Sequence, residues 1–159
     1  MSTMLVTYFT ASGTTRTVAE HLAKAAGADI AELVPAQPYT PADLNWNDPN
    51  SRCTREHKDV SIRPQIANAP DVSGYDVVFV GYPLWWEQAP NIIRTFLEGQ
   101  DFSGKTVVTF ATSSMSTRGA DSAHLHGCCS VETNWKTGRR LTPRDGEAAL
   151  SRWVKGLGL

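Results

Sequence analysis

The stretch TASGTT, residues 10–15, puts four hydroxyls (Thr10, Ser12, Thr14, Thr15) and one glycine (Gly13) into six residues, where a β-rich run gives way to a helical one. The first amides of a helix lack intrahelical partners and sit at the positive end of its dipole, so hydroxyls and amides converging there make an anion site. What is missing narrows the anion. No G-K-[ST] follows, which excludes a nucleoside triphosphate loop. The lack of G-x-G-x-x-G disfavours a dinucleotide pyrophosphate, and the lack of a cysteine heading the loop disfavours phosphatase chemistry. The expectation is a terminal monophosphate held by hydroxyls and amides. A plain capped helix is the alternative, although a cap requires only one such hydroxyl.

Two further stretches could serve the same ligand. GYPLWWEQAP, residues 81–90, presents Tyr82, Trp85 and Trp86 in a turn stiffened by Pro83 and Pro90. Aromatics grouped in a turn suggest a flat apolar platform for a ring system, or else a hydrophobic cluster covering a sheet end. TSSMS, residues 112–116, offers small hydroxyl residues that let backbone approach a ligand edge, or that make an ordinary polar turn. A fourth cluster, HLHGCC, gathers His124, His126, Cys128 and Cys129, all zinc-ligand types. Its H-x-H-x-C-C spacing matches no structural zinc pattern, so no metal is expected. His21 and His57 are expected at the surface.

The elements that position these residues alternate along the chain. TMLVTYF, residues 3–9, is nearly continuously apolar, as in a strand covered on both faces. Val18 with Leu22 and Ala19 with Ala23 stripe a helix from Thr14, with Arg16, Glu20 and Lys24 outward and Gly27 to end it. DIAELV, residues 29–34, alternates like a strand near a sheet edge. Residues 35–73 hold six prolines and only a short helical possibility at 51–58, and so long a connection in a compact domain usually has a use. YDVVFVGY, residues 75–82, reads as the central strand, followed by an amphipathic helix over 91–99 and a buried strand over 105–112. The segment after it is ambiguous. A terminal helix is expected from Thr142 as N-cap and Pro143 at the first position, with Ala149, Leu150, Trp153, Val154 and Leu157 inward. This order implies one domain over 1–159 and a three-layer α/β/α sandwich on a mainly parallel sheet, whose ligands collect at the strands' carboxyl ends.

Composition is that of an ordinary globular chain of 159 residues, 41% hydrophobic and 19% charged. The first 104 residues carry 7 Lys/Arg against 12 Asp/Glu, and the last 55 carry 8 against 4. No basic stripe is interleaved with aromatics, so nucleic acid is not an expected partner. No apolar run approaches the roughly 20 residues of a membrane span, and the start lacks a signal peptide's pattern. Three cysteines, two of them adjacent, fit a reducing compartment better than a disulfide framework. A cytoplasmic protein is expected.

Taken together, TASGTT, GYPLWWEQAPNIIRTFLE, FATSS and the long loop PYTPADLNWNDPNSR resemble the flavodoxin family, in its FMN-binding branch with a GYPxWW motif. The resemblance covers residues 4–115 and extends loosely through GRRL and the terminal helix. It implies a doubly wound, five-stranded parallel sheet of order 2-1-3-4-5. It also implies FMN, with Thr10, Ser12, Gly13, Thr14 and Thr15 on the phosphate and Pro83, Leu84, Trp85 and Trp86 flanking the isoalloxazine. Thr112, Ser113, Ser114 and Met115 would line the remaining edge. Two departures stand out. SMSTRG replaces a glycine-rich third loop, and PLWWEQ lacks the glycine that many electron-carrying flavodoxins place beside the flavin N5. A non-glycine residue enters positive φ at a cost of roughly 1–2 kcal/mol. The resemblance implies an electron carrier working with a redox partner protein, or alternatively an FMN-dependent NAD(P)H oxidoreductase of quinone-reductase type. No nucleophile or acid/base pair for other chemistry is evident.

Overall fold

The computed structural model describes residues 3–113, 116 and 118–159. Five parallel strands, β1 (Met4–Tyr8), β2 (Asp29–Glu32), β3 (Val77–Pro83), β4 (Thr106–Thr112) and β5 (Asn134–Arg140), form one sheet in the order β2-β1-β3-β4-β5. Side chains alternate across β3 with the strand period of two. Val77 and Phe79 pack toward α1 (Thr14–Ala26) and α4 (Glu147–Gly156) with Val18, Leu22, Leu150 and Val154. Val78, Val80 and Tyr82 pack on the opposite face with α3 (Asn91–Glu98), through Ile92, Ile93, Phe96 and Leu97. The result is the expected three-layer α/β/α arrangement.

Helix α1 buries Thr15, Val18, Ala19, Leu22 and Ala23, the stripe read from the sequence. It stops where Gly27, at φ 66, donates its amide to the Ala23 carbonyl, a left-handed cap suited to glycine. The long connection is folded rather than loose. Pro35 bridges Ile66, and α2 (Arg52–Lys58) starts on the Ser51 hydroxyl. Glu56, only 4% exposed, accepts from the Tyr39 hydroxyl at 2.6 Å and from Arg52 Nε at 2.9 Å, so its charge is buried with partners. The Asn91 amide donates to the carbonyls of Glu56 and Asp59, tying α2 to the start of α3.

Two elements differ from the sequence reading. The ambiguous segment contains a 3₁₀ helix, Ser122–Cys128, and the edge strand β5. Helix α4 starts four residues later than expected, with Gly146 at its N-cap. Thr142 caps a separate turn instead. Its hydroxyl accepts from the Arg144 amide (3.2 Å), while its own amide donates to Asp145 Oδ2 (2.7 Å). A hydroxyl engaged in this local turn is withdrawn from the helix start. Of the residues expected inward, Leu150 and Val154 are buried and Trp153 and Leu157 pack beside them, whereas Ala149 is only half-buried. Among the described residues no helix is long and apolar enough to cross a membrane.

Candidate functional site

Strands β1 and β3 are neighbours whose connections leave in opposite directions, β1 toward β2 and β3 toward β4. Their carboxyl ends therefore open a crevice that no crossover helix covers. Hydrogen bonds draw the loops together there. Thr15 Oγ1 and Thr112 Oγ1 lie 2.8 Å apart and are both buried, joining the start of α1 to the end of β4. The Leu84 amide donates to the Thr112 carbonyl (3.0 Å), which fixes the loop after β3. Arg140, at the end of β5, donates from Nε (2.9 Å) and Nη2 (2.6 Å) to the Ser113 carbonyl. A cavity of about 560 Å³ results, bordered by Ser12, Thr14, Pro83, Thr112 and Ser113. Three separate sequence stretches thus meet in one place.

Within the first loop the hydroxyls do different things. Thr10 Oγ1 accepts the Gly13 amide (2.9 Å) and shapes the turn, and Gly13 takes φ 93. Thr15 is committed to Thr112, so its hydroxyl braces the site from beneath. Ser12 and Thr14 are exposed at the cavity. Among the described residues no side chain caps α1. Its first amides are left for another acceptor. Arg140, Thr142 and Arg144, which the sequence reading did not place there, also border the cavity. The one available signal was the cationic excess of the last 55 residues.

The second loop separates the aromatics that the sequence grouped. Tyr82 is a core residue of β3, its hydroxyl donating to the Gly119 carbonyl at 2.6 Å, so it is not part of a surface platform. Trp85 meets Phe9 and Tyr39 edge to face at 5.7 and 5.5 Å, within a cluster seated by Glu56 and by Arg52 over the Tyr39 ring. Trp86, 38% exposed, stacks on His57 at 4.4 Å and 14°. His57 is therefore half-buried against the site rather than a plain surface residue.

Trp85 and Gln88 exchange backbone hydrogen bonds of 3.0 and 3.1 Å around Trp86 (φ 50) and Glu87 (φ 65), as in a type I′ turn. Such turns ordinarily use Asn-Gly, so two bulky residues here store roughly 1–2 kcal/mol each. The expected absence of glycine is real, yet the positive φ is already present. Neighbours hold it. Glu87 meets Arg118 at 3.4 Å, and a Cβ on Gly119 would lie 2.0 Å from the Glu87 carbonyl oxygen, so only glycine fits behind the turn. In the third loop, Ser113 Oγ accepts the Ser116 amide (3.1 Å), while Ser114 and Met115 lie outside the described residues.

The family model for flavodoxin matches residues 3–157. The chain belongs to the flavodoxin family. It is 46% identical to a protein from Bacteroides eggerthii described as a flavoprotein, with a TM-score of 0.93 over all of this chain and 99% of that one. A second, from Bacteroides uniformis, is 38% identical with a TM-score of 0.88, covering 97% and 98% of the two chains. A Lactobacillus acidophilus flavoprotein solved in complex with FMN shares the fold at 17% identity, with a TM-score of 0.68 over 97% and 99%. No curated protein matches.

The flavodoxin's histidine and cysteine cluster is dispersed among separate partners. His126 Nε2 lies 2.9 Å from Ser122 Oγ, and the ring stacks on Trp135. Cys128 Sγ accepts from Arg94 at 3.7 Å. Burial raises its thiol pKa and pushes that of Cys129 up to about 12. No group of three or more His, Cys, Asp or Glu among the described residues could hold a metal ion. His124 Nε2 accepts the amide of Ala89, the residue after the strained turn (3.1 Å). Burial, then the nearby Arg94 charge, holds its pKa below the ordinary 6.5.

The folded state thus favours neutral His124, and the unfolded chain takes up its proton first as the pH falls. The corresponding stability is present above the ordinary pKa and is lost as pH falls toward the folded value. Urea midpoints should therefore drop between about pH 7.5 and 5.5. His124→Gln, which keeps an acceptor for Ala89, should flatten that drop. An equal drop in the variant would assign the acid sensitivity elsewhere.

Proposed function

We propose that this flavodoxin binds FMN at the carboxyl ends of β1, β3 and β4 and carries electrons between redox partners in the cytoplasm. The observation that carries the reading is the uncapped start of α1, which faces a cavity bordered by Ser12 and Thr14. A phosphate monoester suits this cradle. Nothing lies within 4 Å of the position a Cβ would take on Gly13, and the two exposed hydroxyls flank the first amides of α1, which no side chain caps among the described residues. In this reading Thr10 and Gly13 shape the loop, Ser12 and Thr14 offer hydroxyls, and Thr15 offers its amide while its hydroxyl braces Thr112. Pro83, Leu84, Trp85 and Trp86 flank the ring, with Thr112, Ser113, Ser114 and Met115 along its remaining edge.

FMN, when bound, supplies the redox chemistry, taking up and releasing one or two electrons. The chain orients it. Trp85 is seated by Phe9 and Tyr39, and the Trp86–Glu87 backbone is already held at positive φ, so the ring's surroundings are set before binding. All three cysteines are free thiols, which supports a reducing compartment.

A second reading, an NAD(P)H oxidoreductase acting on a quinone-like acceptor, draws on the same turn. Its two central residues lack the freedom of glycine to change conformation with redox state. Mixing the FMN-loaded protein with NAD(P)H separates the two. The carrier reading predicts slow reduction without a partner reductase and fast oxidation by a one-electron acceptor protein. Rapid reduction by NAD(P)H alone would contradict it and favour the enzyme.

A further inference from the structure

The sequence describes an anion site built without a cation, whereas the folded cavity bordered by Ser12 and Thr14 is also bordered by two arginines, Arg140 and Arg144. Arg140 is anchored by its two bonds to the Ser113 carbonyl. Arg144 is exposed and sits in a turn closed by the Thr142 amide donating to Asp145 Oδ2 (2.7 Å) and by its own amide donating to Thr142 Oγ1 (3.2 Å). Leu141, buried beneath, donates its amide to the Ala111 carbonyl (2.9 Å), so the turn sits on β4 at a fixed height. The acidic member, Asp145, is occupied at the Thr142 amide, and no carboxylate borders the cavity among the described residues.

A helix N-terminus contributes about half a positive charge, which is little against a phosphate monoester carrying about −1.5 to −2 near neutral pH. Two arginines bordering the same cavity change that balance. We propose that Arg144, supported by Arg140, is a specificity-determining residue that makes this site select a dianionic phosphate terminus. The turn between β5 and α4 thereby becomes part of the cofactor site. The proposal rests on the FMN reading above. Its physical signature is a charge effect: it should act on FMN and spare riboflavin, which has the same ring without the phosphate, and salt should screen it because Arg144 is exposed.

The test measures dissociation constants of the purified full chain and of Arg144→Gln and Arg144→Lys for FMN and riboflavin, at low and at high salt. Arg144→Gln should weaken FMN about five- to tenfold at low ionic strength, with the deficit shrinking toward nothing near molar salt. Riboflavin should be unaffected, and Arg144→Lys should recover most of the loss. Equal weakening of FMN and riboflavin, or no weakening of FMN at low salt, would overturn the proposal while leaving the flavin reading intact. Failure of the wild type to bind FMN would overturn that reading and this proposal with it.

Discussion

Gly138→Ala should lower the stability of this flavodoxin by about 3 kcal/mol or more. The position lies in β5 where the ladder with β4 slips: Val108 pairs with Lys136 and Phe110 with Arg139, so β5 carries one extra residue. Through this bulge passes the bond from Thr109 Oγ1 to the Ala120 carbonyl (2.7 Å). A Cβ on Gly138 would stand 2.1 Å from both of those oxygens and 2.7 Å from the Thr109 carbonyl oxygen. Backbone cannot swing aside as a flexible side chain can. The bulge must shift, at roughly 1–3 kcal/mol for overpacking, and the buried Thr109 hydroxyl loses its partner at about 1–3 kcal/mol more. For a domain of this size each kcal/mol is about 2–4 °C, so the thermal midpoint should fall by about 10 °C. Gly156→Ala, in α4 with open space around it, is the control and should be neutral or slightly stabilising. A Gly138→Ala midpoint within about 2 °C of wild type would mean that the bulge yields easily.

The same strand shows where sequence reading stops. β1, β3 and β4 were legible because their apolar runs are covered on both faces, and α1 and α3 because their stripes repeat at helical spacing. NWKTGRR has neither pattern. As an edge strand it carries Lys136, Arg139 and Arg140 and kinks at Gly138, a composition that guards an edge and looks like a loop. Missing β5 also concealed Arg140 and Arg144, because the strand's parallel pairing with β4 is what brings Arg140 to Ser113 and Arg144 to the same cavity. The start of α4 was misplaced for a local reason: Thr142-Pro143 has the look of a helix start, yet Asp145 captures the Thr142 amide first.

The candidate site divides similarly. Ser12, Thr14, Pro83, Thr112 and Ser113 converge on one cavity as the loop compositions suggested. Which hydroxyl faces solvent was not legible, since the pairing of Thr15 with Thr112 spans 97 positions of sequence. Nor could local spacing foresee His57 against Trp86, or Tyr39 against Trp85, which depend on how the long connection folds back over the site. Proline content showed only that this connection was irregular.

The phosphate has the largest expected effect on binding. Ser12, Thr14 and the first amides of α1 can give it several charge-assisted hydrogen bonds, each worth about 1.5–3 kcal/mol and incompletely additive. Three to four kcal/mol survive a cautious sum, and each 1.4 kcal/mol is tenfold in affinity, so FMN should bind at least about a hundredfold more tightly than riboflavin. Titrating the purified protein with each flavin, followed by flavin absorption and by tryptophan fluorescence, tests this directly. The account predicts one tight FMN site that quenches tryptophan, and a markedly weaker riboflavin site. Equal affinities, or no binding of FMN, would contradict it.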